Sequence, residues 1–137
     1  MGAALSARLA PMTFHVSPAE RAQQTFSAVQ QHWAGLEAQH GVTAPALYTF
    51  DYREVLQWVA AQPDGTQSLA LVGHNPALTE LINFFAGPGT LENLPTAGWA
   101  ELLIRIEGWS LVADAKGEGE LVYHLFPKFL AQSDGGH

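Results

Sequence analysis

Two short runs hold residue types that could do chemistry: Ser17-Pro18-Ala19-Glu20-Arg21 and Gly73-His74-Asn75-Pro76. Each follows an apolar stretch of strand type and leads into an amphipathic stretch of helical type. Ser17 reads as a helix N-cap, with Pro18 at the first helical position and Glu20 closing a capping box. Asn75 reads as the N-cap of a second helix, with Pro76 first inside it. At the carboxyl ends of strands in an open α/β sheet, such junctions present free backbone N–H groups, and these favour an anion. If the two strands lie close together, the Arg21 guanidinium and the His74 imidazole can converge on a phosphate and polarise it. Two plainer readings stand beside this one: Arg21 as a solvated residue paired with an acid, and His74 as a hydrogen-bonded turn residue.

The remaining histidines offer less. His15 lies inside a strand, His32 and His40 flank a helix end, His124 alternates in a late strand and His137 is in the tail. None forms a His-x3-His or His-Glu-x2-His pair, so no metal site is expected. Gly-x4-Gly-Lys, Gly-x-Gly-x2-Gly and Gly-x-Ser-x-Gly are also missing, which removes support for nucleotide binding, serine hydrolysis and a bound cofactor.

The elements that must position these residues follow from periodicity. Residues 2–10 are rich in helix formers and stop at Pro11, and 12–17 is a short buried-strand candidate. Ala22, Phe26, Val29, Trp33 and Leu36 then fall on one helical face. The stretch 46–50, Ala-Leu-Tyr-Thr-Phe after Pro45, reads as a strand. Tyr52, Val55, Leu56 and Val59 mark a helix, 68–73 a continuous apolar strand, and Leu78, Leu81, Ile82 and Phe85 another helix. Two later stretches, 98–113 and 119–127, read as strands that finish the sheet, at least one of them antiparallel, with a turn over 114–120 between them. The pattern predicts an α/β fold: a three-layer αβα, Rossmann-like domain with a mostly parallel sheet and antiparallel C-terminal strands.

The 137 residues fit one domain, drawn at 1–130, with a disordered tail at 131–137. The net charge of −7, with six Lys plus Arg, argues against broad nucleic-acid binding. No apolar run reaches the roughly 20 residues of a membrane span, so the expected compartment is the cytoplasm, with no membrane partner. With no cysteine there is neither a disulfide framework nor a thiolate zinc site.

Taken in order, these motifs resemble the histidine phosphatase superfamily, and within it the branch of SixA-type phosphohistidine phosphatases. Ser17-Pro18-Ala19-Glu20-Arg21-Ala22-Gln23-Gln24-Thr25 is similar to the family's Ser-Pro-x2-Arg-Ala-x-Gln-Thr element. The Leu47-Tyr48 segment, Val72-Gly73-His74-Asn75-Pro76, 93–98 and 121–130 match its later landmarks. The resemblance implies a phosphate pocket of two histidines and two arginines, in which one histidine accepts the phosphoryl group. By position Arg21 is its second arginine and His74 its second, non-nucleophilic histidine. Asn75 and Ser17 shape the pocket through their caps, and Thr96 comes near it.

One departure from the pattern bears on function. The family's first strand ends in Arg-His, and no arginine of this sequence is followed by histidine. The resemblance therefore implies an N-terminally incomplete domain whose first central strand, with the nucleophile, would precede Met1. Losing a nucleophile costs on the order of a millionfold in turnover, so the chain is predicted to be inactive or nearly so on its own, and its exposed strand edges to invite self-association. The expected ligand is a phosphorylated protein or a small phosphomonoester. The alternative is a non-catalytic module that binds phosphate or a phosphoprotein.

Overall fold

A computed structural model describes residues 1–126 of the chain. The element order is α1 (Gly2–Ser6), β1 (Phe14–Val16), α2 (Glu20–Gln31), β2 (Gly41–Thr43), α3 (Tyr52–Ala60), β3 (Ala70–Val72), α4 (Ala77–Ala86), β4 (Trp99–Ile104) and β5 (Gly119–Leu125). Short 3-10 turns lie at Ala38–His40, Pro45–Leu47 and Trp109–Asp114. The proposed tail at 131–137, and the part of the last landmark at 127–130, fall outside the described residues.

β1 is the middle strand of a parallel sheet ordered β2-β1-β3. Alternation along β1 assigns its faces, since successive side chains point to opposite sides. Phe14 and Val16 enter a buried cluster with Leu5, Ala22, Phe26, Val29 and Trp33, so α1 and α2 cover that face. His15 points the other way, with its ring centroid 4.9 Å from that of Trp58 on α3. On that side Val55, Leu56, Val59, Leu81 and Phe85 form a second cluster, onto which Leu71 packs. Helices thus cover both faces, and the layers run α, β, α. The glycine that starts β2 is required by packing: a Cβ on Gly41 would sit 2.5 Å from the Phe26 ring.

β4 and β5 pair antiparallel, with an irregularity between Glu101 and Leu102. They form a separate two-stranded sheet and do not continue the parallel one, which corrects the single sheet expected above. Among the described residues no strand bridges β3 and β4. Side-chain packing ties the two parts together, with hydrogen bonds such as that from the Gly117 N–H to the Phe84 carbonyl at 2.9 Å. Trp99 lies 6.0 Å from Phe14 between ring centroids, and Leu102 and Ile104 pack on the cluster around Phe85 and Val112. Arg8, beyond α1, pairs with Glu101 and lies 3.6 Å over the centre of the Tyr123 ring.

Further elements differ from expectation. Residues 46–50 are not a strand: Pro45–Leu47 is a 3-10 turn, Leu47 is buried, and Tyr48 and Phe50 project outward. The strand of that region is β2, five residues earlier. The stretch 98–113 is a strand only as far as Ile104, and Trp109–Asp114 coils into a 3-10 turn that buries Val112. α2 ends at Gln31, while Trp33 and Leu36 stay buried beyond it, where Gly35 takes a φ of 87° that turns the chain.

Candidate functional site

The three parallel strands end at one level, and the segments that leave them meet there. Pairing runs one step past β1 and β2: the Ser17 N–H donates to the Val72 carbonyl at 2.9 Å and the Ala44 N–H to the Val16 carbonyl at 2.8 Å. Ser17 therefore still belongs to the sheet register, and α2 begins only at Glu20, with Ala19 in the cap position. This corrects the expected capping box. Ser17 is fully buried, and its hydroxyl serves another partner: Oγ lies 2.8 Å from His74 Nε2 in a hydrogen bond. The Ala19 N–H donates to the same Oγ at 3.3 Å, which leaves the hydroxyl hydrogen available to the imidazole. Gln23 fixes the junction from α2, its Nε2 donating to the Ser17 carbonyl at 3.0 Å and to Thr43 Oγ1 at 3.3 Å.

The second junction is also shifted by one residue. α4 begins at Ala77 with Pro76 in the cap position, so Pro76 is not its first helical residue. Asn75 nonetheless satisfies the helix start. Its Oδ1 accepts from the Thr79 N–H at 3.1 Å and from the Thr79 hydroxyl at 2.8 Å. Its Nδ2 donates to the Leu94 carbonyl and to Asn93 Oδ1. Asn75 thus anchors the loop that leads to β4, and Thr79 Oγ1 accepts from the Leu94 N–H at 3.0 Å. Thr96 follows in an exposed turn closed by the Gly98 N–H and the Pro95 carbonyl at 2.9 Å, with Ala97 at a φ of 59°. Its hydroxyl makes no hydrogen bond to a described residue.

Charge separates Arg21 from the other arginines. Arg8 pairs with Glu101, Arg53 with Asp51 and Arg105 with Glu120. Arg21, exposed in the first turn of α2, has no acidic partner among the described residues. The plain reading of Arg21 is met in part: the side chain is solvated, but no acidic partner is found among the described residues. The plain reading of His74 is met in part, since the ring is hydrogen-bonded, but its partner is the other junction. The structure joins Ser17 to His74 directly and puts Asn75 beside them; Arg21 follows Ser17 by four residues.

Two neighbours of His74 were not assigned to the site from the sequence, although Tyr48 stands in the Leu47-Tyr48 landmark. Tyr48 and Phe50 place their ring centroids 5.3 Å and 6.1 Å from the imidazole. Both lie in the stretch read as a strand, where alternation would have sent them into a sheet. Their loop is held by Leu47 below and by Asp51, which caps α3 by accepting from the Arg53 N–H at 2.9 Å. Hydrogen bonds from Arg53 hold the Asp51 carboxyl below the usual carboxylate range. Among the described residues no group of three or more His, Asp or Glu is arranged to hold a metal ion, and no helix is long and apolar enough to cross a membrane.

Neither a protein-family profile nor a curated protein sequence matches the chain. Solved structures do. The protein from Agrobacterium tumefaciens bearing the phosphohistidine phosphatase SixA designation is 26% identical, with a TM-score of 0.70 over 92% of this chain and 75% of that one. Its namesake from Nakamurella multipartitia is 22% identical with a TM-score of 0.72, covering 91% of this chain and 76% of that one. A protein histidine phosphatase SixA complexed with tungstate is 22% identical with a TM-score of 0.70, covering 94% and 78%. Over more than nine-tenths of its length, then, this chain has the fold of the SixA phosphohistidine phosphatases of the histidine phosphatase superfamily.

Proposed function

We propose that the two strand-to-helix junctions bind a phosphoryl group and that the chain is a phosphohistidine or phosphomonoester phosphatase-like domain. The observation that carries this reading is the 2.8 Å bond between Ser17 Oγ and His74 Nε2, which brings the two junctions together at the carboxyl ends of β1 and β3. Arg21, without an acidic partner among the described residues, is the cation of the site, and His74 is held in orientation by Ser17. A phosphoryl group spreads its charge over several oxygens, so a guanidinium and an oriented imidazole suit it. One of the structurally similar proteins binds tungstate, a tetrahedral oxyanion of the same shape as phosphate.

No arginine in these 137 residues precedes a histidine, so the pair that would carry the nucleophile is not in this sequence. The 137-residue polypeptide accordingly binds a phosphoryl ligand with little or no turnover on its own. Two measurements test this. Phosphate or tungstate titrated into the chain is expected to bind at millimolar concentration or below, and the Arg21→Ala variant to bind more weakly. Absence of Arg21-dependent binding would sink the phosphoryl reading. Hydrolysis of p-nitrophenyl phosphate is expected to be negligible; clear turnover lost in His74→Ala would overturn the claim that a further nucleophile is needed.

A further inference from the structure

Beside the candidate phosphoryl site, two large aromatic side chains stand open to solvent. Tyr48 is 60% exposed and Phe50 64%, and they are the most exposed large hydrophobic residues among those described. Two neighbouring exposed rings beside a polar site form an apolar face that folding leaves unburied. They are not on a loose segment. The Tyr48 N–H donates to the Pro45 carbonyl at 3.1 Å, the buried Leu47 anchors the loop, and the Thr49 hydroxyl donates to Glu54 Oε1 at 2.8 Å. Thr49 Oγ1 also accepts from the Asp51 N–H at 3.1 Å. The intervening polar residue is thus turned toward α3, and the two aromatics are presented on the other side.

Their geometry about His74 is that of two walls at an angle. The Tyr48 ring is inclined 37° to the imidazole and the Phe50 ring meets it nearly edge-on at 78°. Contact with His74 leaves both residues more than half exposed to solvent. Of the two acids next to the loop, Asp51 is paired with Arg53, while Glu54 accepts a hydrogen bond from Thr49 and keeps its charge.

We infer that Tyr48 and Phe50 are specificity-determining residues that seat a planar ring bearing the phosphoryl group, an aryl or imidazolyl leaving group in preference to an alkyl one. The inference rests on the phosphoryl-binding reading of His74 and Arg21. A phosphoryl group at the junction leaves its attached ring within reach of these faces, and offset or edge-to-face stacking is the arrangement that aromatic pairs prefer. Such stacking corresponds to a preference of roughly three- to tenfold.

The test is a ratio of affinities. Inorganic phosphate, methyl phosphate and phenyl phosphate are titrated into the isotope-labelled chain and followed by NMR. Phenyl phosphate is expected to bind roughly three- to tenfold more tightly than methyl phosphate. In the Tyr48→Ala, Phe50→Ala double variant that ratio should fall towards one, and Tyr48→Phe should keep it. Both replaced side chains are exposed, so the fold is expected to survive, and the ratio is insensitive to any common loss of affinity. A ratio near one in the unaltered chain overturns the inference. So does a ratio that persists in the double variant, which would mean that the rings only support His74. If inorganic phosphate itself fails to bind, the phosphoryl reading falls and takes this inference with it; binding of phosphate without a phenyl preference removes the aromatic wall alone.

Discussion

Replacing Ser17 by alanine removes one oxygen atom from the point where the two junctions touch. The hydroxyl has two partners, His74 Nε2 at 2.8 Å and the Ala19 N–H at 3.3 Å, and the residue is fully buried. A buried hydrogen bond contributes a net of about 1 kcal/mol, and an orphaned group costs more. The His74 ring is only half-buried, so water can replace its lost partner, and the longer bond to Ala19 is the weaker of the two. The total loss is therefore about 1–2 kcal/mol, a fall in Tm of roughly 3–8 °C for a domain of this size. A second effect concerns the ligand. Without Ser17 the imidazole regains rotameric freedom that binding must remove, at about 0.5–1 kcal/mol, so phosphate or tungstate affinity should fall roughly two- to fivefold. The assays are thermal unfolding and an anion titration followed on the His74 ring resonances, with affinity referred to the folded fraction. A Tm that falls with no loss of affinity would reduce Ser17 to a packing residue. An unmoved Tm together with unmoved ring resonances would refute the hydrogen bond itself.

Other perturbations follow from the same structure. Arg21→Ala should weaken phosphate binding roughly tenfold, about the value of one charge-assisted hydrogen bond at an exposed site, and leave Tm nearly unchanged; calorimetric titration and thermal unfolding check the two halves. Asn75→Ala frees both the start of α4 and the loop at Asn93 and Leu94, and should cost about 1–2 kcal/mol by denaturant unfolding. Gly41→Ala drives a methyl group into the buried Phe26 ring and should destabilise by about 1–3 kcal/mol. Burial pushes the His15 imidazole below its ordinary value of 6.5, so the unfolded chain takes up its proton first as the pH falls. The stability His15 contributes as a neutral ring is thus present above about 6.5 and lost as acid is added, and His15→Gln should flatten the fall of Tm in that window.

The helices were readable because each carries a buried stripe at helical spacing. Val55, Leu56 and Val59, or Leu81, Ile82 and Phe85, recur at the spacing that brings them to one buried helical face. The strands were harder, since three-residue strands leave little room for a pattern. Leu47, Tyr48, Thr49 and Phe50 alternate in polarity less than in size, and the true neighbour of β1 is Gly41-Val42-Thr43, whose glycine argues against a strand until the Phe26 ring above it is known. Trp109 to Ala113 looked like a strand because a 3-10 turn that buries one face leaves a similar apolar mixture. At the site, Ser17, Arg21, His74 and Asn75 stood out by residue type. Their roles did not, because a serine before a helix looks the same whether its hydroxyl caps the helix or holds a histidine from another strand. Tyr48 and Phe50 were hidden by the strand reading of their own segment.

The one-step extension of pairing past the ends of β1 and β2 makes the sheet a ruler for the site. Ser17 faces His74 because Val16 is level with Val72, and both partners are counted off from that rung of the ladder. Strand side chains alternate with a period of two. Adding or removing a single residue in β3 would therefore exchange its buried and partner-facing sides and carry His74 away from Ser17, while every residue named in the site kept its identity. Substitutions weaken this site by degrees; a frame shift of one residue within three dismantles it at once, so the length of β3 is as much a part of the binding chemistry as the histidine that follows it.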